Sequence, residues 1–274
     1  MHREFSMHAK LNRNSKSTLF VATILAAGLA THTQGGIEMG TAMTYAVHGA
    51  AGVTNTGPSV ITGDLGAWPT GSVTGFPPGI VNGTMNIGNA AAMQAHSDAT
   101  TAYNTIAGLS PTQNLTGTDL GGLTLTPGVY FFASSAGLTG NLTLDAQGDP
   151  DAQFVFQIGS TLTTATDSSV SFINDADGCN VFWQVGSSAT LGVRTDFTGT
   201  IIALAAVTLT TDATITHGRA IALTESVTMD SNIIDGGPCI PSPGALALLV
   251  PACLTVFLPR RRDAARRGGA LARS

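Results

Sequence analysis

Residues 181–232, VFWQVGSSATLGVRTDFTGTIIALAAVTLTTDATITHGRAIALTESVTMDSN, carry one short signature three times: Ala189-Thr190-Leu191, Val207-Thr208-Leu209 and Val227-Thr228-Met229, with the threonines 18 and 20 residues apart. Side chains of an extended strand alternate between its two faces, so the flanking apolar residues turn inward and each threonine turns out. A repeat of this length suits one coil of a β-solenoid, three short strands joined by turns. Toward the N-terminus the signature continues through Thr161-Leu162, Leu142-Thr143-Leu144 and Leu123-Thr124-Leu125. The steps from Thr124 to Thr190 are 19, 18 and 29, and the long one holds an insertion around residues 174–180.

Each signature alternates with a segment of another kind. GVYFFAS (128–134), AQFVFQIGS (152–160), NVFWQVGS (180–187), TGTIIALAA (198–206) and GRAIALTES (218–226) are apolar at nearly every position, as expected of strands covered on both faces. The solenoid interior supplies one cover. The other is expected from residues 90–107, which read as a helix with Asn89 as N-cap and Gly108 just past its end. Ala91, Ala95, Ala99, Ala102, Tyr103 and Ile106 form its small-residue stripe. A third set of strands, around residues 169–172, 195–198 and 213–216, again alternates apolar with Ser and Thr. At least two Thr-bearing faces are therefore expected, only one of them covered by the helix.

The composition fits such a molecule. The chain has 274 residues, 43% of them hydrophobic, 11% charged and 6% aromatic, with 33 glycines and 38 threonines. This excludes a disordered chain, which could not carry so much apolar content. Between Ile37 and Ile240 stand 15 acidic residues and only two basic ones, Arg194 and Arg219. Nucleic acid is thereby excluded as a partner, because neutralising phosphates needs clustered Lys and Arg.

Enzymatic signatures are missing: no Gly-x-Ser-x-Gly, His-Glu-x-x-His, phosphate loop or calcium loop occurs. His48, His96 and His217 sit alone in sequence and read as structural or solvated. Asp145, Asp149 and Asp151 lie in DAQGDPDAQ (145–153), where turn-forming roles are expected rather than a cation site. A polysaccharide-cleaving solenoid would need an acidic metal cluster and a basic residue, for which only Arg194 and Arg219 are available. No catalytic residue, metal or cofactor is expected.

The two ends read as addresses. Arg3, Lys10, Arg13 and Lys16 precede an apolar run from Leu19 to Ala30, the layout of a secretory signal peptide over residues 1–36. At the other end, residues 241–274 contain an apolar stretch from Gly244 to Leu258 followed by arginines, which reads as a membrane stop with its positive end inside. This tail resembles the exosortase-type sorting signal of Gram-negative bacteria, with Pro241-Ser242-Pro243 where the common form has Pro-Glu-Pro. A secreted or cell-surface domain over residues 37–240 is expected, with export and sorting machinery as partners. Membrane contact is expected only through the two ends. In that oxidising setting Cys179 and Cys239 can pair, closing a loop of roughly 60 residues that stabilises by about 4 kcal/mol.

The threonine column remains. Threonine suits exposed strand positions without any ligand. On adjacent strands, however, such residues repeat at about 4.7–4.9 Å, and at i and i+2 along a strand at about 6.6–6.8 Å, spacings near repeats of the ice lattice. The candidate face is Thr124, Thr143, Thr161, Thr190, Thr208 and Thr228, with a second column two residues on that includes Thr126, Thr163 and Thr210 but also Asp145, Gly192 and Asp230. An alternative face carries Thr198, Thr214 and Thr216.

The segments TNTGPSVITGDLG (54–66), VTGFPPG (73–79), DLGGLTLTPGVY (119–130), LTLDAQGDPDAQFVFQIGSTLTTA (142–165), CNVFWQVGSSATLG (179–192) and VTMDSN (227–232) together resemble the microbial ice-binding protein family. The resemblance implies an all-β fold with one long helix: a right-handed discontinuous β-solenoid of triangular cross-section, the helix packed along one face. It implies that the partner is the ice crystal surface, to which a flat face adsorbs and so restrains growth and recrystallisation; a monomer is expected. The Thr-Ala/Gly-x-Thr/Asn motif of that family occurs at Thr41 to Thr44, ahead of the matching segments. The rival reading is a cell-surface or matrix adhesion protein on the same scaffold.

Overall fold

A computed structural model describes residues 36–237. The expected signal peptide (1–36, bar its last residue), the sorting tail (241–274) and Cys239 lie outside them. Cys179 is disulfide-bonded, and it is the one cysteine among the described residues.

The chain winds as a solenoid of parallel strands with three faces. The turn from one coil to the next fits Val181–Val185, Ala189–Leu191 and Asp196–Ala203. The last of these is long because it serves two faces. Its residue 196 pairs with Ser169 on one, while residues 200–203 pair with 182–185 on another. Gly199 makes the corner at φ +97°, where a Cβ would stand 2.7 Å from the Val181 side chain, so only glycine fits. At the opposite corner Asp167, Arg194, Asp212 and Ser231 take left-handed φ values of 55–59°.

The first face, under the helix, is built from the apolar segments read as doubly covered. Gly128–Phe132, Phe154–Ile158 and Val181–Val185 pair in register, and the set continues through residues 200–203 and 219–222 to Tyr45–Gly49 and Asp64–Ala67. Their inward side chains stack coil on coil: Phe156 and Trp183 lie 3.8 Å apart between ring centroids at 7°, with Tyr130 and Phe197 extending the stack. Their outward side chains, Val129, Val155, Phe182, Ile202 and Ile221, form a second core beneath the helix.

That helix, α1, spans Ala90–Ala107, and the Asn89 side chain accepts from the Ala92 amide at 2.9 Å. Its buried residues are Ala92, Ala95, Ala99, Ala102 and Ile106. Ala91 of the expected stripe is exposed and Tyr103 half-buried; the helical phase puts Ala92, three before Ala95, on the packed side. Methyl-sized side chains let the helix axis lie close to a flat sheet.

The coils do not stack in chain order. In the seven-stranded sheet of the second face the sequence is Ala136–Leu138, Leu162–Thr164, Ala189–Leu191, Val207–Leu209, Ser226–Asp230, then Gly52–Thr56 and Val73–Thr74. The N-terminal coils thus continue the solenoid beyond the C-terminal ones, and α1 connects residues 45–87 to the coil that starts the opposite end.

Candidate functional site

The seven-stranded sheet carries a ladder of threonines in register. Thr163 pairs with Thr190, Thr190 with Thr208, Thr208 with Thr228, Thr228 with Thr54 and Thr54 with Thr74, while Gly137 stands at the Thr163 end. Strand pairing sets their repeat at about 4.8 Å. The first five are anchored by buried neighbours on their own strands: Leu162 and Thr164, Ala189 and Leu191, Val207 and Leu209, Val227 and Met229, Val53 and Asn55; Thr74, at the end, is flanked by half-buried Val73. All six threonines are exposed or half-buried.

Two residues earlier on each strand lies a parallel column of Ser135, Thr161, Ser188, Ala206, Ser226, Gly52 and Ser72, also small and uncharged. Thr161 belongs here: its hydroxyl donates to Ser135 at 2.9 Å. The sequence reading aligned Thr161 with Thr190, whereas pairing aligns Thr163. Alternation sends both threonines outward, and the interstrand register alone distinguishes them.

Thr124 and Thr143 lie elsewhere. They pair with each other and with Ser171 on the third face, so the single column expected from the sequence is divided between two faces. Thr126 is exposed beyond Thr124–Leu125, and its carbonyl accepts from the Tyr130 hydroxyl. Thr210, with Asp230 and Thr56, lines the far margin of the seven-stranded sheet, its hydroxyl donating to the Leu191 carbonyl at 2.7 Å.

The third face is less uniform. Thr198 is 5% exposed because the turn at Gly178 packs over it. Thr214 donates to the Asp196 carboxylate at 3.0 Å, and Thr216 is exposed beside Asp235. Thr143, Ser171 and Asn141 hydrogen-bond among themselves. Ile233 and Ile80 protrude at 56% and 55% exposure. Several hydroxyls here, those of Thr143, Ser169, Ser171 and Thr214, are committed to protein partners, and the face is interrupted by carboxylates and isoleucines. The six ladder hydroxyls, by contrast, have no side-chain partner among the described residues, and Asp230 is the one charged residue in the seven strands.

Thr54 and Thr74 escaped the sequence reading. Their signal was present as Val53-Thr54 and Val73-Thr74, 20 residues apart like Val207-Thr208 and Val227-Thr228. The Thr41 to Thr44 motif sits in a 3-10 turn, Gly40–Thr44, where Thr41 donates to Asp98 and Thr44 to Asp64.

The residues considered for catalysis have structural employment. Arg219 is 1% exposed and donates to backbone carbonyls, and Arg194 faces Asp167 at 2.7 Å. Asp145 and Asp149 accept from the amides two residues on, as turn-formers do. Among the described residues no three metal-ligating side chains cluster.

A family model described as Ice-binding-like matches residues 47–235. An ice-binding protein of Nostoc sp. (strain HG1) is 56% identical over 211 residues, 77% of this chain and 78% of its own length. One of Colwellia sp is 30% identical over 234 residues, 80% of this chain and 88% of the relative. Among solved structures, the ice-binding protein of the Antarctic ascomycete Antarctomyces psychrotrophicus superposes with a TM-score of 0.72 at 41% identity, covering 74% of this chain and 98% of its own. An ice binding protein from an Antarctic biological consortium gives 0.72 at 48% identity, covering 74% and 91%.

Proposed function

Because the chain belongs to the ice-binding-like family, we propose that it adsorbs to ice and that the seven-stranded face is the adsorbing surface. The observation that carries the assignment of the face is the in-register ladder Thr163, Thr190, Thr208, Thr228, Thr54, Thr74, whose hydroxyls are uncommitted to other side chains. A carboxylate organises water around its charge; a row of methyl and hydroxyl groups at fixed spacing imposes the sheet's own repeat on it. Water held in that repeat merges with a growing crystal. Many such contacts along one rigid plane act together, so the protein stays on the surface, and ice must grow as curved fronts between bound molecules. Curvature lowers the local freezing point and suppresses recrystallisation. Adsorption needs no chemical step and no cofactor.

The same reading makes residues 1–36 an export signal and 241–274 a sorting tail, placing the domain outside the cell, where ice forms. Thr208→Tyr, at the middle of the ladder, tests the face. Its bulk lifts the plane off the crystal, and the concentration needed for recrystallisation inhibition rises at least about tenfold, the factor corresponding to ~1.4 kcal/mol of lost contact. Circular dichroism stays unchanged. Thr143→Tyr on the third face leaves the activity as it was. The reverse pattern places the site on the third face. Smooth disc-shaped growth with the folded native chain overturns the ice reading itself.

A further inference from the structure

His48 and His96 stand alone in sequence, yet the fold brings their rings together, tilted by 41°. His48 lies on Tyr45–Gly49 in the sheet beneath the helix, His96 on α1, and their ring centroids are 5.4 Å apart. His48 is 1% exposed. Neither of its ring nitrogens has a hydrogen-bond partner, nor does Nδ1 of His96. Buried polar nitrogens without partners are uncommon and costly, and these sit at the seam that holds the helix to the solenoid.

We propose that the His48–His96 pair is an acid-sensitive latch: neutral, it lets α1 pack on the sheet; protonated, it loosens the helix while the threonine face stays intact.

The protein groups around the pair offer no counter-charge. On the strand of His48 itself, Tyr45 meets its ring edge-on at 5.9 Å. From Asp64–Ala67, Gly66 packs against Nδ1, and Asp64 of that strand accepts from Thr44 and the Thr84 amide. From Thr214–Ala222, Ile221 is the register partner, and Arg219 points its guanidinium at the Met43 and Gly236 carbonyls. On α1, Asp98 is engaged by Thr41 and Gln94. No carboxylate is aimed at either imidazole, and each imidazolium would face the other. Burial, and next the His96 ring, lower the His48 pKa from 6.5 to about 4, and burial lowers that of His96. A histidine depressed in the docked state contributes full stability above the undocked pKa. That contribution is lost as pH falls below 6.5 toward the docked value. Undocking would expose Val129, Val155, Phe182, Ile202 and Ile221, the core that the helix covers.

Hydrogen exchange on the full chain, corrected for intrinsic rates, reads the latch directly. Between pH 6.5 and about 4 the opening equilibrium of the α1 amides rises roughly tenfold per pH unit, about 300-fold in all from His48 alone. The amides of the seven-stranded sheet hold their protection. In His48→Phe/His96→Leu the α1 response is flat. PH-independent α1 protection in the native chain, or an equal response in the double variant, overturns the proposal. Should that variant fail to fold, the ring resonances of the native chain decide. A His48 midpoint near 4 supports the latch, and one near 6.5 overturns it.

Discussion

Arg219 is one of two basic residues between Ile37 and Ile240, and its role was invisible until the chain was folded. It donates to the Met43 carbonyl at 2.8 Å, the Gly236 carbonyl at 3.1 Å and the Thr200 hydroxyl at 3.3 Å, fastening residues 43 and 236 across a gap in sequence of nearly the whole domain. Burial lowers its pKa to about 10, still far enough above neutrality to keep it charged. Arg219→Ala strands two carbonyls and opens a cavity, and is expected to cost about 4 kcal/mol in urea unfolding. Arg219→Met, which refills most of the volume without donors, should cost about half as much. Equal stability of all three chains would mean that the clamp carries no net energy. Thr161 gives the opposite lesson: its outward direction followed from alternation, but its column did not, because Thr161 and Thr163 are equivalent under a period of two.

Strands and helix each show how local pattern and packing divide the work. The ladder stops at Gly137, where the strand Ala136–Leu138 presents no side chain. A Cβ there would lie 3.1 Å from the Asp119 carboxylate, which is held by the Gly121 and Thr139 amides. Gly137→Thr adds a seventh rung after a small shift of Asp119. It should lower the protein concentration that arrests ice recrystallisation and, through strand propensity, add up to about 1 kcal/mol of stability. Unchanged ice activity in a folded Gly137→Thr chain would place the adsorbing plane elsewhere. In α1 the N-cap and both ends were legible, since Asn89 and Gly108 are local signals. The buried phase differed by one position, because a run of three alanines, 90–92, gives no local reason to prefer Ala92 over Ala91.

The whole solenoid depends on a connection that strand patterns do not record. Residues 52–56 pair with 226–230, and residues 60–62 with 233–235, so the N-terminal coils shield the free edges of the C-terminal ones. A chain lacking residues 37–87 would leave those edges open and lose the strand Tyr45–Gly49 from beneath the helix, along with His48 and the Met43 carbonyl. It is expected to aggregate or remain unfolded, as size-exclusion chromatography and circular dichroism would show. A soluble, folded monomer of residues 88–240 would mean that each coil stack is autonomous. The same connection completes the ladder, since two of its six rungs, Thr54 and Thr74, come from the coils at the far end of the chain.

Coil length, inward and outward alternation, the doubly covered strands and the single helix were all readable from residues 123–232 and 89–108. Each is a local matter of period, propensity or capping, and local interactions are written along the chain. Which threonines share a plane was not readable. That depends on register between strands 18 to 27 residues apart and on the joining of residue 54 to residue 228, and parallel strand pairing is satisfied equally well by backbone groups at several offsets. The choice among offsets came from corner glycines, the stacked aromatic core and the closing of the N-terminal coils onto the C-terminal ones. These contacts exist only once the chain is wound.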